Sequence, residues 1–181
     1  MRAKKFTSEG IVISRKNYSE ADRILVIYTN DYGKLFVMAK GVRKLKSKKR
    51  GHLEVFSHIK FSASKGSGID VMTEVESIND FHKIKKDLKK VALAYYFMEV
   101  VFKLTSQEEK NKELFRLILN YLDKLDIDKN LRTLRFSFIH DLLVLLGYWP
   151  VNRIMANPDK VLEEVLERQV YTIRIGKRLL S

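Results

Sequence analysis

The feature that most constrains this chain is a run of like charges between residues 39 and 53. It reads AKGVRKLKSKKRGHL and holds seven Lys or Arg side chains, and no acidic residue occurs between Asp31 and Glu54. Like charges repel one another, so such a run stays solvated and favours a polyanionic partner. Strand-like sequence lies on both sides, LFVM before the run and FSHIKF after it. We therefore expect a basic loop mounted on a β-sheet that binds phosphates; a merely solvated lysine-rich loop is the alternative.

Alternation of apolar and polar residues predicts five strands in the first 80 residues. They are expected at residues 6–14, 23–29, 34–39, 55–63 and 69–76, with turn-forming sequence at 30–33 and 65–68. The long connection follows the third strand, as in an OB-fold, a small Greek-key barrel used widely for oligonucleotides. An SH3-like barrel has a similar strand count and remains the alternative fold at this point. The last strand is expected to place Ile69, Val71, Thr73 and Val75 on one face and Asp70, Met72, Glu74 and Glu76 on the other.

From Phe81 the apolar period becomes that of a helix. Three apolar stripes predict three helices with core-facing residues Leu88, Val91, Ala92, Tyr95, Met98 and Phe102; Leu114, Leu117, Ile118, Tyr121, Leu122 and Leu125; and Leu131, Leu134, Phe138, Leu142 and Leu145. Gly147 is expected to end the third helix, and Asn157-Pro158 to open a short fourth one. Residues 169–175 alternate like a strand without an evident pairing partner. The predicted architecture is α+β, with a barrel domain at residues 1–80 and an α-helical bundle domain at 81–181.

Composition limits the function classes. The net charge of +13 and the pI near 9.8 favour nucleic acid or an acidic protein surface as partner. The absence of cysteine excludes disulfides, thiol nucleophiles and Cys-ligated zinc, and it suits a reducing cytoplasm. No signal-peptide pattern follows the basic N-terminus, and the most apolar helical stretch, near residues 142–146, is too short to span a bilayer. We expect a soluble cytoplasmic protein.

No catalytic constellation is evident. The four histidines lack ligand spacing, Gly66-Ser67-Gly68 lacks the lysine and helix of a phosphate loop, and the carboxylates are scattered. The sequence therefore predicts a binding protein without a cofactor rather than an enzyme. Bases of single strands stack on aromatic rings, for which the candidates are Tyr18, Tyr28, Tyr32, Phe36, Phe56 and Phe61, although most are expected to fill the barrel. Of these, Phe36 shares a strand face with Lys40. A second basic cluster consists of Lys83, Lys85, Lys86, Lys89 and Lys90, which either extends the basic track or forms a solvated helix face.

An ordered set of motifs resembles the RecO family of bacterial DNA repair proteins over about residues 5–150. The barrel part has EGIV at 9–12, YSEADRIL at 18–25, YGK at 32–34, AKGVR at 39–43 with Lys46-Ser47, and GHLEVF at 51–56. The helical part has Leu131-Arg132, Arg135-Phe136 and LGYWP at 146–150. No single motif is decisive, but their order is specific.

The resemblance implies an OB domain followed by a helical domain, in a recombination mediator. Such proteins bind single- and double-stranded DNA, anneal complementary strands, and act with RecR to load RecA onto DNA coated by single-stranded DNA-binding protein. They dock the acidic-hydrophobic C-terminal tail of that protein on the helical domain, where Arg132 or Arg135 would meet the carboxylates. Carried onto this chain, the DNA-binding residues would be Arg23, Lys34, Lys40, Arg43, Lys44, Lys46, Lys48, Lys49 and Arg50. Localisation at the nucleoid would follow.

Two departures from the family pattern affect what is carried over. Many members place a four-cysteine zinc site after the Gly-Tyr-x-Pro element, but no cysteine follows Pro150 here, so zinc is not expected. The sequence ends at Ser181, which implies a shortened C-terminal part of the helical domain. Three rivals remain at this point: an OB-fold RNA-binding or ribosome-associated factor, a nuclease or ligase accessory enzyme, and an adaptor for acidic proteins.

Overall fold

The structure, a computed structural model, describes residues 4–44, 47 and 50–169, the side chains of Arg50, Arg168 and Gln169 excepted. The described residues contain five strands and four α-helices. The strands are β1 (Lys5–Tyr18), β2 (Asp22–Thr29), β3 (Gly33–Ala39), β4 (His58–Ser64) and β5 (Asp70–Asn79). The helices are α1 (Leu88–Leu104), α2 (Lys112–Ile127), α3 (Leu131–Leu145) and α4 (Pro158–Gln169).

The strands close into a barrel in the order β1-β2-β3-β5-β4, which confirms the predicted OB-type barrel. All neighbours are antiparallel except β3 and β5, which share a short parallel pairing. The long β1 pairs with β4 through Lys5–Ile11 and with β2 through Gly10–Tyr18. A register shift between Val12 and Ser14 bends the strand between its two partners. Apolar side chains from every strand fill the barrel, among them Val12, Leu25, Ile27, Leu35, Val37, Ile59, Phe61 and Met72.

Three strand boundaries differ from the prediction by three residues or more, and one of them is the end of β5, which lies at Asn79 rather than at residue 76. The first strand continues beyond Ser14 to Tyr18, because its polar end pairs with the start of β2 at the rim of the barrel. The fourth strand begins at His58 rather than at Val55. Phe56 precedes it with φ of 62°, a left-handed conformation that interrupts extended backbone.

The predicted faces of the last strand are wrong. Met72 is 3% exposed and lies in the barrel core, whereas Thr73 is exposed. The pairing of β5 with β4 shifts register at this point, so Thr73 and Glu74 both lie on the solvent side. Val75 then packs against the same core as Met72. A bulge in a strand reverses the alternation that follows it.

The predicted stripe of the first helix is also wrong in part. Leu88 is 85% exposed and Tyr95 is 43% exposed, although both were expected in the core. The buried residues of α1 are Leu93, Ala94, Phe97, Met98, Val100, Val101 and Leu104. Because α1 is apolar on more than one side, its sequence contains two competing stripes. The second helix follows its prediction more closely, with Leu114, Ile118, Tyr121, Leu122 and Leu125 buried.

Helix ends follow the expected chemistry. Gly147 has φ of 77° just after α3, and the N–H of Tyr148 donates to the carbonyl of Leu143 at 2.8 Å. The side chain of Asn157 accepts from the N–H of Lys160 at 3.1 Å and caps α4. The strand predicted at residues 169–175 lies outside the described residues, except that residue 169 ends α4.

Contacts divide the chain into two compact units, Met1–Asp126 and Ile127–Ser181. The first unit holds the barrel with α1 and nearly all of α2, and the second holds α3 and α4. The domain boundary after residue 80 stays a prediction. In the part of the chain that the structure describes, no helix has the length and apolar character needed to cross a membrane.

Candidate nucleic-acid interface

The start of the basic loop is tied to the turn between β1 and β2. The backbone N–H of Arg43 donates to the carbonyl of Ala21 at 2.9 Å, and its guanidinium donates to the carbonyl of Ser19 at 3.0 Å. The N–H of Gly41 donates to the carboxylate of Asp22 at 2.7 Å. Gly41 has φ of 66°, a conformation that glycine adopts without strain. These bonds join two turns at one end of the barrel.

Two buried side chains hold the basic loop at its ends. Val42 and Leu53 are both 0% exposed and belong to the barrel core. Lys40 and Lys44 are exposed, and neither has an acidic partner within the described residues. We call the side chains of Lys40, Arg43 and Lys44 the cationic rim. Because the rim is fixed to the core, its charges stay at one end of the barrel.

Arg23 lies at the same end of the barrel, but its charge is partly engaged. It pairs with Ala39 across β2 and β3, and its Nε donates to the side-chain carbonyl of Asn17 at 3.2 Å. Its Nη1 lies 3.6 Å from the carboxylate of Glu54, which also holds Arg15 at 2.5 Å. Glu54 therefore competes with phosphate for both arginines.

Lys34 has a different place from the one predicted. It is 6% exposed, and its ammonium donates to the carbonyl of Phe102 at 2.8 Å and to that of Thr105. The ammonium also lies 4.7 Å from the centre of the Phe102 ring. Burial lowers the pKa of Lys34, an effect that the nearby charge of Glu109 opposes. Lys34 thus caps the C-terminal end of α1 and is absent from the cationic rim.

The remaining predicted DNA-binding residues cannot be placed with these. Lys46, Lys48 and Lys49 lie outside the described residues, as does the side chain of Arg50. One further cation was missed by the sequence reasoning. Lys16 is exposed near the end of β1 and pairs with Ile24. Its alternation with Tyr18 was the available signal, but the strand was expected to end before both.

The second basic cluster is partly neutralised. Lys83 lies 3.5 Å from the carboxylate of Asp126, and Lys90 donates to the backbone carbonyl of the same residue at 2.9 Å. Lys85 lies 3.8 Å from Asp80. Lys86 and Lys89 are exposed without an acidic partner in the described part of the chain. This cluster resembles a solvated helix end more than a continuous basic surface for a polyanion.

Arg132 and Arg135 flank one aromatic ring on α3. Their guanidinium carbons lie 5.6 Å and 5.0 Å from the centre of the Phe136 ring. Arg135 is also paired with Asp159 of α4 at 2.8 Å. Arg132 is exposed, so it is the more accessible of the two to an external carboxylate. No group of three or more acidic or histidine side chains in the described residues could hold a metal ion.

Comparison with known proteins adds to this geometry. Residues 1–81 match the model for the family "Recombination protein O N terminal", and residues 85–152 match "Recombination protein O C terminal". A protein from Dehalococcoides mccartyi named "DNA repair protein RecO" is 36% identical over 152 residues, which are 84% of this chain and 60% of the relative. Proteins of the same name from Roseiflexus and Listeria welshimeri are 34% identical over 169 residues and 31% identical over 142 residues. These cover 93% and 78% of this chain, but 59% and 56% of the relatives, so the chain spans about three fifths of their length.

Proposed function

Because the chain belongs to the recombination protein O family, we propose that it is a non-catalytic DNA-binding protein of repair and homologous recombination. It binds single- and double-stranded DNA and anneals complementary strands. The observation that carries this proposal is the cationic rim, in which Lys40 and Lys44 stand exposed and unpaired at one end of a closed barrel.

The rim acts by neutralising phosphates. Each phosphate contact releases condensed counterions, so binding is independent of sequence and weakens steeply with salt. Two strands held on one cationic surface repel each other less, which promotes pairing without ATP. No step requires a metal or a catalytic side chain.

Partners follow from the same proposal. The protein acts with RecR to load RecA onto DNA coated by single-stranded DNA-binding protein, whose acidic C-terminal tail docks on the helical part. Arg132 supports this assignment because its guanidinium is exposed and rests against the ring of Phe136, ready for a carboxylate. Arg135 is already paired with Asp159 and contributes less.

The test is strand annealing on naked and coated DNA, with and without RecR. A variant that we call the rim variant replaces Lys44 of the cationic rim and three further lysines of the basic loop by Glu, namely Lys46, Lys48 and Lys49. The matched control carries the same charge change at four exposed lysines elsewhere: Lys110, Lys112, Lys129 and Lys160. We expect the rim variant to lose annealing on both substrates while its thermal unfolding stays unchanged, and the control to keep most of it.

A third variant separates partner docking from DNA binding. Arg132→Glu should anneal naked DNA normally and lose activity on coated DNA alone. Unchanged annealing by a folded rim variant would refute the role of the loop. A preference for structured RNA over single-stranded DNA at equal salt would instead favour the RNA-binding alternative.

A further inference from the structure

A mixed apolar and basic surface lies on the outside of the barrel next to the cationic rim. The strand register places Lys16 of β1 beside Ile24 of β2, and Ile24 beside Met38 of β3. Because side chains alternate along a strand, Tyr18 shares this outer face with Lys16. Lys40 lies in the turn that directly follows β3, two residues beyond Met38 along the chain. Ile24 and Met38 are half-buried, whereas both lysines are exposed. Ile24 and Met38 therefore form an apolar floor beside Lys16, and the turn that carries Lys40 begins next to it at the end of β3.

Tyr18 is the most exposed of the six barrel rings that the sequence offered as stacking candidates. It is 51% exposed, whereas Tyr28, Phe56 and Phe61 are 0%, 3% and 1% exposed. Tyr32 is also engaged, because its ring packs against Phe6 at 5.2 Å. The side chain of Tyr18 makes no hydrogen bond or ring contact with the described residues. Its half-exposed side chain is thus accessible to a ligand at the edge of the apolar floor.

Aromatic rings next to cations suit unpaired nucleotides. A base in a single strand has a free face that stacks on an aromatic ring, and its phosphates lie within reach of lysines on either side. In a duplex the bases are stacked on one another and their faces are unavailable. A tyrosine in this setting distinguishes single strands from duplexes, whereas the lysines do not.

We propose that Tyr18 stacks on a base of single-stranded DNA, with Ile24 and Met38 as the apolar floor and Lys16 and Lys40 on the adjacent phosphates. This proposal rests on the DNA-binding function proposed above and adds a strand preference to it. The rim attracts any phosphate backbone, and Tyr18 selects the strand whose bases are exposed.

The experiment compares three labelled ligands by fluorescence anisotropy: a thymidine oligonucleotide, an abasic oligonucleotide of equal length and a duplex. Tyr18→Ala should bind the thymidine strand about tenfold more weakly than the wild type, the size of one stacking contact. Its affinities for the abasic strand and the duplex should change less than about twofold. Tyr18→Phe should bind all three like the wild type, since stacking needs the ring and not the hydroxyl.

A control variant and the salt dependence complete the test. Tyr148→Ala removes another exposed tyrosine, 39% exposed, and should leave all three affinities unchanged. The slope of log K against log salt should be the same for Tyr18→Ala and the wild type, because no phosphate contact is lost.

The possible failures are distinguishable. An equal loss on all three ligands, or no loss on the thymidine strand, overturns the stacking role while leaving DNA binding intact. A loss with Tyr18→Phe equal to that with Tyr18→Ala also overturns it, since the hydroxyl would then carry the contact. If the wild type shows no salt-dependent binding to any of the three, the proposed function itself fails.

Discussion

The buried lysine of β3 gives the sharpest test of the structure. The family resemblance implied that Lys34 binds DNA, yet its ammonium donates to two backbone carbonyls at the end of α1, those of Phe102 and Thr105. We predict that Lys34→Met lowers the stability of the fold and leaves the DNA affinity of the folded protein unchanged. Methionine keeps most of the apolar stem and removes the charge and both hydrogen bonds.

The expected loss in the free energy of unfolding of Lys34→Met follows from opposing contributions. Hydrogen bonds from a charged donor contribute roughly 1.5–3 kcal/mol each, and the contact with the Phe102 ring adds about 0.5–1 kcal/mol. Burial of the ammonium opposes them, as the lowered pKa of Lys34 indicates. A net loss of about 2–3 kcal/mol remains. For a chain of this size, that lowers the melting temperature by about 5–10 °C.

Paired measurements on two lysines separate the structural role from the binding role. Lys40→Met is the matched control, because Lys40 is exposed and belongs to the cationic rim. Urea unfolding should show the stability loss in Lys34→Met alone, and anisotropy with labelled DNA should show the affinity loss in Lys40→Met alone. If Lys34→Met keeps wild-type stability and loses as much affinity as Lys40→Met, the burial argument is refuted.

Three further changes test neighbouring parts of the fold and the site. Burial raises the pKa of Tyr28 to about 12, so the stability that its protonated form contributes, about 2–3 kcal/mol, is complete below pH 10 and is lost as the pH rises through 12. Urea midpoints of Tyr28→Phe should lack this part of the alkaline loss. Gly33→Ala should cost at least about 2 kcal/mol in thermal unfolding, because φ is +69° and a Cβ there would lie 2.2 Å from the backbone oxygen of Glu109; wild-type stability would contradict that packing. Glu54→Gln removes the carboxylate shared by Arg15 and Arg23, so it should raise DNA affinity and steepen the salt dependence of binding. A decrease in affinity would show instead that the ion pairs with Glu54 orient the two arginines for DNA.

The strands of the barrel could be predicted because turn residues and strand-like sequence are recognisable from neighbouring residues alone. The turn at residues 30–33 and the apolar, strand-like runs on either side define a hairpin without reference to the rest of the chain. Bulges are harder to predict, since they insert one residue without a strong sequence mark. The shift at Thr73 therefore places Val75 on the same side of β5 as Met72, although simple alternation placed them on opposite faces.

The candidate site was predictable only where a residue's environment is local. The solvated lysines of the rim follow from their own sequence, since no acid lies nearby along the chain. Lys34 looked similar, but the α1–α2 connection that covers it lies about 70 positions further on. Its backbone runs beside Lys34, where the N–H of Glu108 donates to the carbonyl of Lys34 at 3.0 Å. No period in the sequence of β3 carries that information.

The placement of charge matters more here than its total. Six of the seven loop cations lie between Val42 and Leu53, two residues whose complete burial fixes both ends of the loop to the barrel. A polyanion bound to this segment meets several cations that are close together along the chain, so their attractions combine. The same charges spread over the surface would act singly and be screened. This is why the control with four lysines reversed elsewhere, identical in net charge, should anneal DNA when the rim variant does not.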